Sequence, residues 1–376
     1  MRKWMNNRVT AGVMAAVLAA TMLTGCGSKS SDTIKIGTSF PMTGSCAADG
    51  LLILDAIDLA VEEVNAAGGI NGKTVEIVKE DDEANPTSAA SIANKFAEDK
   101  GIVGVLSSYN SSCMFAQVDT LEEAKLPAIS PVSTNPGFTG ISDYFYRTST
   151  SDAVVGEESA LFSKDLGMTS VAVLYENDDY GLGIAEEYMA TCEEIGLEIA
   201  TVQTYVYGET VDYSTILTAC ADAGADGIFI AGVTTEAGLI CEQKDDYGCG
   251  DMIVVGANGL YSPAFLEYGS AVDGVYLLGE FSTESEKEST QEFVKAFREK
   301  YDEDPSNWAA LAYDAAMVMM EAMKSIDGDV TREALNEAIS NIEYDGAAGT
   351  YKFENCDCEI KNELRFVIEN GKFTLY

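Results

Sequence analysis

The sequence predicts an α/β protein built as two lobes. Short apolar runs alternate with segments of helical periodicity along most of the chain, the pattern of βαβ units and parallel sheets. That pattern restarts near Arg147–Asp152, and 376 residues exceed the roughly 250–300 that one hydrophobic core holds.

The first strand is expected at Ile34–Gly37. A helix over about Gly50–Ala66 follows, because Leu51, Leu54, Ile57, Val61 and Val64 recur on one face at three- and four-residue spacing. Gly68-Gly69-Ile70-Asn71-Gly72 stops it. Val75–Val78 (strand), Thr87–Glu98 (helix), Ile102–Leu106 (strand), Ser111–Ala124 (helix) and Pro127–Ser130 (strand) complete the first half. After the restart, strands are expected at Val171–Tyr175, Ile199–Val206, Gly227–Ala231, Met252–Val255 and Val275–Leu278, with helices between the earlier ones. An acidic loop, Glu280–Glu288, leads to helices at Thr290–Lys300, Trp308–Lys324 and Arg332–Ile339. The tail, Leu364–Ile368 and Phe373–Tyr376 around Asn370-Gly371, reads as a β-hairpin.

Residues 1–25 read as a secretory signal rather than structure. Arg2, Lys3 and Arg8 precede an Ala-rich apolar run, Val9–Leu23, too short to span a bilayer stably. Leu23-Thr24-Gly25-Cys26 resembles a bacterial lipobox, which implies cleavage before Cys26, a lipid on its thiol, and anchoring to the outer face of the cytoplasmic membrane. Residues 26–32 then form a flexible tether.

With three of the 23 basic residues in that signal, the remainder carries 20 Lys and Arg against 62 Asp and Glu, a net −42. Such a surface repels nucleic acid and anionic lipid and keeps an exported protein soluble. The chain contains no histidine, which removes Ser-His-Asp and Cys-His catalysis and imidazole metal sites. Eight cysteines remain beyond Cys26, and their thiol or disulfide state is open. Cys356-Asp357-Cys358 is too tightly spaced for an easy mutual disulfide. No C-x-x-C pair supports a metal site built from Cys356 and Cys358 with Cys241 and Cys249, so neither metal nor cofactor is expected.

Three nucleotide- or cation-binding patterns fail. Ala67–Thr74 imitates a phosphate loop, but in the order helix, loop, strand, without the helix N-terminus that holds phosphate. Gly181-Leu182-Gly183 has Glu186 where the third dinucleotide glycine belongs. Asp327-Gly328-Asp329 lacks the turn glycine and terminal glutamate of a calcium loop. Four serines in LSSYNSSCMF, Leu106–Phe115, stand where a strand yields to a helix. No Gly-x-Ser-x-Gly, Ser-x-x-Lys or histidine accompanies them, so Ser111 is expected either to cap the helix or to belong to a donor cluster that holds a carboxylate.

Several motifs then share one order: Ile34-Lys35-Ile36-Gly37, Pro41-Met42-Thr43-Gly44, Glu63–Gly72, Ser130-Pro131-Val132-Ser133-Thr134-Asn135-Pro136, Asp179-Tyr180-Gly181 and Ala312-Tyr313-Asp314-Ala315. Over Ile34–Tyr376 the chain resembles the leucine/isoleucine/valine-binding type of periplasmic binding protein, fold type I. The resemblance implies two Rossmann-like lobes joined by three crossovers that close like a hinge. It assigns 33–150 plus 282–345 to the N-terminal lobe and 151–281 plus 346–376 to the C-terminal lobe, with crossovers near Arg147–Asp152, Leu278–Ser282 and Asp345–Thr350.

The resemblance also implies the site. Ser111 holds the ligand carboxylate, Thr134 contacts carboxylate and amine, Val132 offers a carbonyl to the amine with Ser133 beside it, Tyr180 reaches in from the second lobe, and Trp308 lines the side-chain pocket. Where the family places an acid against the ammonium, this chain has Asn258, an acceptor without charge. Val233 stands in place of a tyrosine. Asp49 replaces an aromatic and is expected to restore the negative charge from the opposite lobe. The function implied is not enzymatic: a monomeric lipoprotein captures a small polar solute, an amino acid of branched-chain type by family, and delivers it to the permease and ATPase of an importer. An extracellular sensor, or a receptor for an amide or urea, uses the same fold.

Overall fold

Alternation builds the first strand: Ile34 and Ile36 face the core while Thr33 and Lys35 sit half-buried. The computed structural model describes residues 33–358 and 363–376; the expected signal, Cys26 and tether lie outside them. The first half comprises β1 (Thr33–Phe40), α1 (Ala47–Ala66), β2 (Thr74–Asp81), α2 (Pro86–Glu98), β3 (Ile102–Ser107), α3 (Ser111–Glu123), β4 (Ala128–Ser130) and β5 (Phe145–Arg147). Its five strands form one parallel sheet in the order β2-β1-β3-β4-β5.

The second half runs through α4 (Asp152–Asp165), β6 (Ser170–Glu176), α5 (Asp179–Ile195), β7 (Glu198–Tyr205), α6 (Ser214–Asp222), β8 (Gly227–Ala231), α7 (Thr234–Gln243), β9 (Ile253–Gly256), α8 (Pro263–Leu266) and β10 (Tyr276–Gly279). Three helices follow: α9 (Glu288–Tyr301), α10 (Asn307–Lys324) and α11 (Arg332–Ser340). Two small hairpins come next, β11 (Tyr344–Asp345) with β12 (Thr350–Tyr351), and β13 (Phe353–Glu354) with β14 (Asp357–Cys358). β15 (Leu364–Glu369) and β16 (Lys372–Leu375) then pair across Asn370-Gly371. Both turn residues have positive φ, 55° and 70°, as the expected two-residue hairpin requires. They extend the second sheet, ordered β16-β15-β10-β9-β8-β6-β7.

Leaving out its two antiparallel strands, that sheet repeats the 2-1-3-4-5 order of the first. Each lobe is therefore a doubly wound unit whose order reverses once, between β1 and β3 and between β6 and β8. Ligands of such sheets bind beyond the strand carboxyl ends at that reversal.

The late helices return to the first lobe. α10 packs along α1, and Arg332 at the start of α11 fastens the block by donating to the carbonyls of Phe96, Ala97, Asp99, Ile102 and Ala124. It thereby satisfies the carbonyls that the ends of α2 and α3 leave open. The hairpins β11–β14 also lie here. The Tyr351 hydroxyl donates to Asp314 of α10 at 2.8 Å, and the Arg147 amide donates to the Cys356 carbonyl at 3.0 Å. The chain thus rejoins the second sheet at β15, later than the Asp345–Thr350 crossing expected from the sequence. Residues 346–358, assigned there to the second lobe, pack on the first because buried Asp314 also accepts the Ala347 and Ala348 amides, each at 2.7 Å.

The second lobe has its own anchor, Tyr188 stacked on Phe229 with ring centroids 3.7 Å apart. Among the described residues no cluster of ligating side chains could hold a metal ion, and no helix is long and apolar enough to cross a membrane. Cys241 and Cys249 lie in the second-lobe core, whereas Cys356 joins a first-lobe cluster, so the four-cysteine metal site weighed from the sequence does not assemble.

Candidate functional site

β3 ends in Ser107 and the chain turns into α3 at Asn110, whose extended backbone makes it the N-cap residue but whose side chain forms no cap. The first N–H groups of α3 therefore face outward without a capping oxygen, and the helix dipole adds partial positive charge there. Of the four serines, Ser107 donates to Gln117 Oε1 at 3.0 Å and Ser108 to Asp82 Oδ2 at 3.1 Å. The Ser112 hydroxyl accepts the Asp179 amide of the opposite lobe at 3.3 Å. Ser111 faces a cavity.

That cavity lies between the lobes. Tyr109, Asn110, Ser111, Val132, Thr134 and Trp308 line it from the first lobe, and Tyr180, Val233 and Gly259 from the second. Among the described residues, several polar atoms on or beside it are buried without a well-formed hydrogen bond: Asn110 Oδ1, Thr134 Oγ1, Trp308 Nε1, Asn258 Nδ2 and both carboxylate oxygens of Asp152. Native interiors leave few such groups, because each costs about 1–3 kcal/mol. Their convergence on one cavity marks a polar binding site.

Asp152 stands in the first turn of α4, and its amide donates to the Thr134 carbonyl at 2.8 Å. Burial pushes its carboxyl up to about 8, against the pull of the Thr134 hydroxyl and the Arg147 guanidinium. Arg147 is itself fully buried. It donates to the carbonyls of Thr134 at 2.7 Å and Asn135 at 2.9 Å while its Nε pairs with Asp357. One guanidinium thus fixes the loop that carries Thr134.

The residues named from the sequence divide. Ser111, Val132, Thr134, Tyr180 and Trp308 line the cavity. Ser133 turns away from it, donating its hydroxyl to the Ser108 carbonyl at 3.0 Å and its amide to Ser130 Oγ at 2.9 Å, so it ties two loops together. Asn258 differs from the acceptor expected of it: its Oδ1 already accepts the Tyr180 hydroxyl at 3.4 Å, and a donor, Nδ2, is left over. Asp49 lies behind Tyr109 and accepts from the Tyr109 and Ser262 hydroxyls. The sequence reading missed Tyr109, Asn110, Gly259 and Asp152. For Asp152 the available signal was an acid opening a helix directly after the first crossover.

The lobes touch around this cavity. Asn135 Nδ2 of the first lobe donates to the Asp179 carbonyl of the second, and Tyr207 bonds Ser45 and Cys46. The arrangement is a closed clamp.

Comparison with known proteins agrees with this geometry. A family model described as periplasmic binding protein matches residues 33–368. "Leu/Ile/Val-binding protein homolog 1" of Brucella abortus is 30% identical over 328 residues, covering 85% of this chain and 86% of that protein. The branched-chain amino acid transporter substrate-binding protein LivJ of Streptococcus pneumoniae, solved with isoleucine, superposes with a TM-score of 0.84 at 30% identity, covering 91% of this chain and 97% of that one. The leucine-binding protein LivK of Thermotoga maritima gives 0.84 at 28% identity with the same coverage. These relatives are binding proteins, and a two-lobed clamp closed over orphaned polar groups is what a solute receptor requires. The chain therefore belongs to the type I periplasmic binding proteins, in the group resembling the leucine/isoleucine/valine-binding proteins.

Proposed function

We propose that the protein is the solute receptor of an ABC importer and that its solute is an α-amino acid. One observation carries the reading: the unpartnered buried atoms around the cavity form the complement of a zwitterion. The α3 N-terminus and the Ser111 hydroxyl suit a carboxylate. The Thr134 hydroxyl and the Asp152 carboxylate, with the Val132 carbonyl, suit an ammonium. Asp152 thus takes the role that the sequence reading gave to Asp49, the negative charge missing at Asn258, and Asp49 acts from behind Tyr109 by holding the closed form. Ligand binding supplies the partners whose lack costs the unliganded clamp, so closure and capture are linked.

The mature chain is proposed to begin at lipidated Cys26 and to work as a monomer outside the cytoplasmic membrane, passing solute to a permease and its ATPase. The relatives whose names specify leucine, isoleucine or valine supply the first ligands to examine. The test is mass spectrometry of whatever solute denaturation releases from the natively purified protein. One equivalent of an amino acid is expected; a sugar, amide or aromatic acid without an α-ammonium group would contradict the reading.

A further inference from the structure

Beyond the zwitterion site lies a second polar end that the amino-acid reading does not use. It is built at the point where the second sheet reverses its order. Glu176 closes β6, Tyr205 closes β7, and Glu236 lies in the first turn of α7, just after β8. All three are buried, with 1%, 2% and 2% of their surfaces exposed. Among the described residues neither Glu236 Oε2 nor the Tyr205 hydroxyl has a hydrogen-bond partner, and Glu176 has no well-formed one, only the nearby Val233 amide and Asp178. Glu236 Oε1 is occupied by the Gly208 amide at 2.9 Å.

Tyr205 and Glu176 converge on one place. A Cβ built on Gly232 would stand 1.9 Å from the Tyr205 hydroxyl and 3.5 Å from Glu176 Oε2. Gly232 directly precedes Val233, a wall residue of the cavity. On the facing lobe, Asp49 hydrogen-bonds the hydroxyl of the wall residue Tyr109. The neutral phenol is an observation separate from the acids, since it too is buried without a partner.

Charge completes the picture. The influences acting on Asp49, Glu176 and Glu236 are burial, hydrogen bonds and other acids, with no lysine or arginine among them. Buried carboxylates are normally paired. Burial raises all three carboxyls, Glu176 to about 9 beside Asp178, so the empty clamp favours their neutral forms and a cation arriving with the ligand favours the charged ones.

Resting on the amino-acid reading above, we infer that the ligand's side chain carries a cation, so that the clamp selects a basic amino acid such as lysine, ornithine or arginine. The α-carboxylate and α-ammonium groups occupy the Ser111–Thr134–Asp152 end, and the side-chain cation lies between Glu176, Glu236 and the Tyr205 hydroxyl. An apolar side chain of equal length leaves those groups unpaired, which is how a polar pocket rejects an analogue lacking its partner.

The test is isothermal titration of the full mature domain, stripped of solute by denaturation and refolding, with lysine, ornithine, arginine, norleucine, leucine and glutamate. At least one basic amino acid is expected to bind at least about tenfold tighter than norleucine, the uncharged isostere of ornithine. In the Glu176→Gln/Glu236→Gln double variant that preference should narrow, with circular dichroism and a cooperative melt certifying the fold. Norleucine or leucine binding as tightly as every basic amino acid overturns the inference and leaves the amino-acid reading intact. Failure of all six to bind, with the refolded wild type certified in the same way, overturns the inference, and the amino-acid reading falls with it if none of the other common amino acids binds.

Discussion

Asp49 of the first lobe accepts a hydrogen bond from Ser262 of the second, and its other oxygen accepts from Tyr109 at 3.0 Å. A carboxylate buried to 3% exposure is therefore shared between the lobes when they close. Asp49→Ala should leave two buried hydroxyls unpaired in the closed form alone, weakening ligand affinity by about 1–3 kcal/mol. The melting temperature of the ligand-free protein should move little. Calorimetric titration beside a thermal melt checks both, and unchanged affinity contradicts the role.

Gly183 offers a second test of closure. A Cβ there would lie 2.5 Å from Asn135 Nδ2 and 3.1 Å from Pro136 Cδ, across the cleft. Within α5, alanine is the better helix former by about 0.5–1 kcal/mol. Gly183→Ala should therefore raise the unfolding midpoint of the open, ligand-free protein while reducing affinity, a divergence that a purely structural defect would not produce.

Thr134 is expected to behave similarly at the zwitterion end. Its hydroxyl is buried and meets no partner but the Asp152 carboxyl, so Thr134→Val should cost the complex about 1–3 kcal/mol and the ligand-free protein less. A denaturant titration with and without ligand separates the two.

Asp152 makes stability depend on pH. Its folded pKa is raised to about 8 by burial, so the folded state holds a proton that the unfolded carboxyl releases. The contribution is complete below the unfolded value of about 4 and is lost as pH rises through about 8. Asp152→Asn should flatten the fall in ligand-free stability between about pH 5 and about pH 9, measured by urea unfolding. The same variant should lose amino-acid binding at least about tenfold. An unaltered pH profile would contradict the assignment.

Arg147→Lys tests the support beneath the site. One ammonium cannot serve the Thr134 and Asn135 carbonyls, Asp357 and the Thr139 hydroxyl together. The unfolding free energy should fall by about 2–4 kcal/mol, with affinity reduced as the Thr134 loop loosens.

The architecture was legible where local pattern and tertiary demand coincide. Gly227–Ala231 reads as a buried strand from five small or apolar residues and is one, and Asn370-Gly371 announces its hairpin. Phe145–Arg147 was missed because three residues carry no period. The two-residue strands of β11–β14 were misplaced for a related reason: their lobe is set by Asp314 and Arg147, contacts that no local pattern encodes. Of the residues that line the cavity, Ser111 and Thr134 were named because motif order marks them. Asp152, beside it, was not, because only a crossover brings the first turn of α4 beneath the Thr134 loop. Asn258 misled because the sequence does not reveal that Tyr180 occupies its oxygen.

In the proposed function the cleft recognises the zwitterionic head of an α-amino acid. Isothermal titration of the stripped, refolded domain tests it most directly, using all common amino acids and, for any that binds, its N-acetyl and carboxamide derivatives. At least one amino acid should bind with one-to-one stoichiometry, and both derivatives should lose at least about tenfold in affinity, since each removes a charge that the proposed site pairs. Equal binding of the derivatives, or no amino acid binding at all, would contradict it.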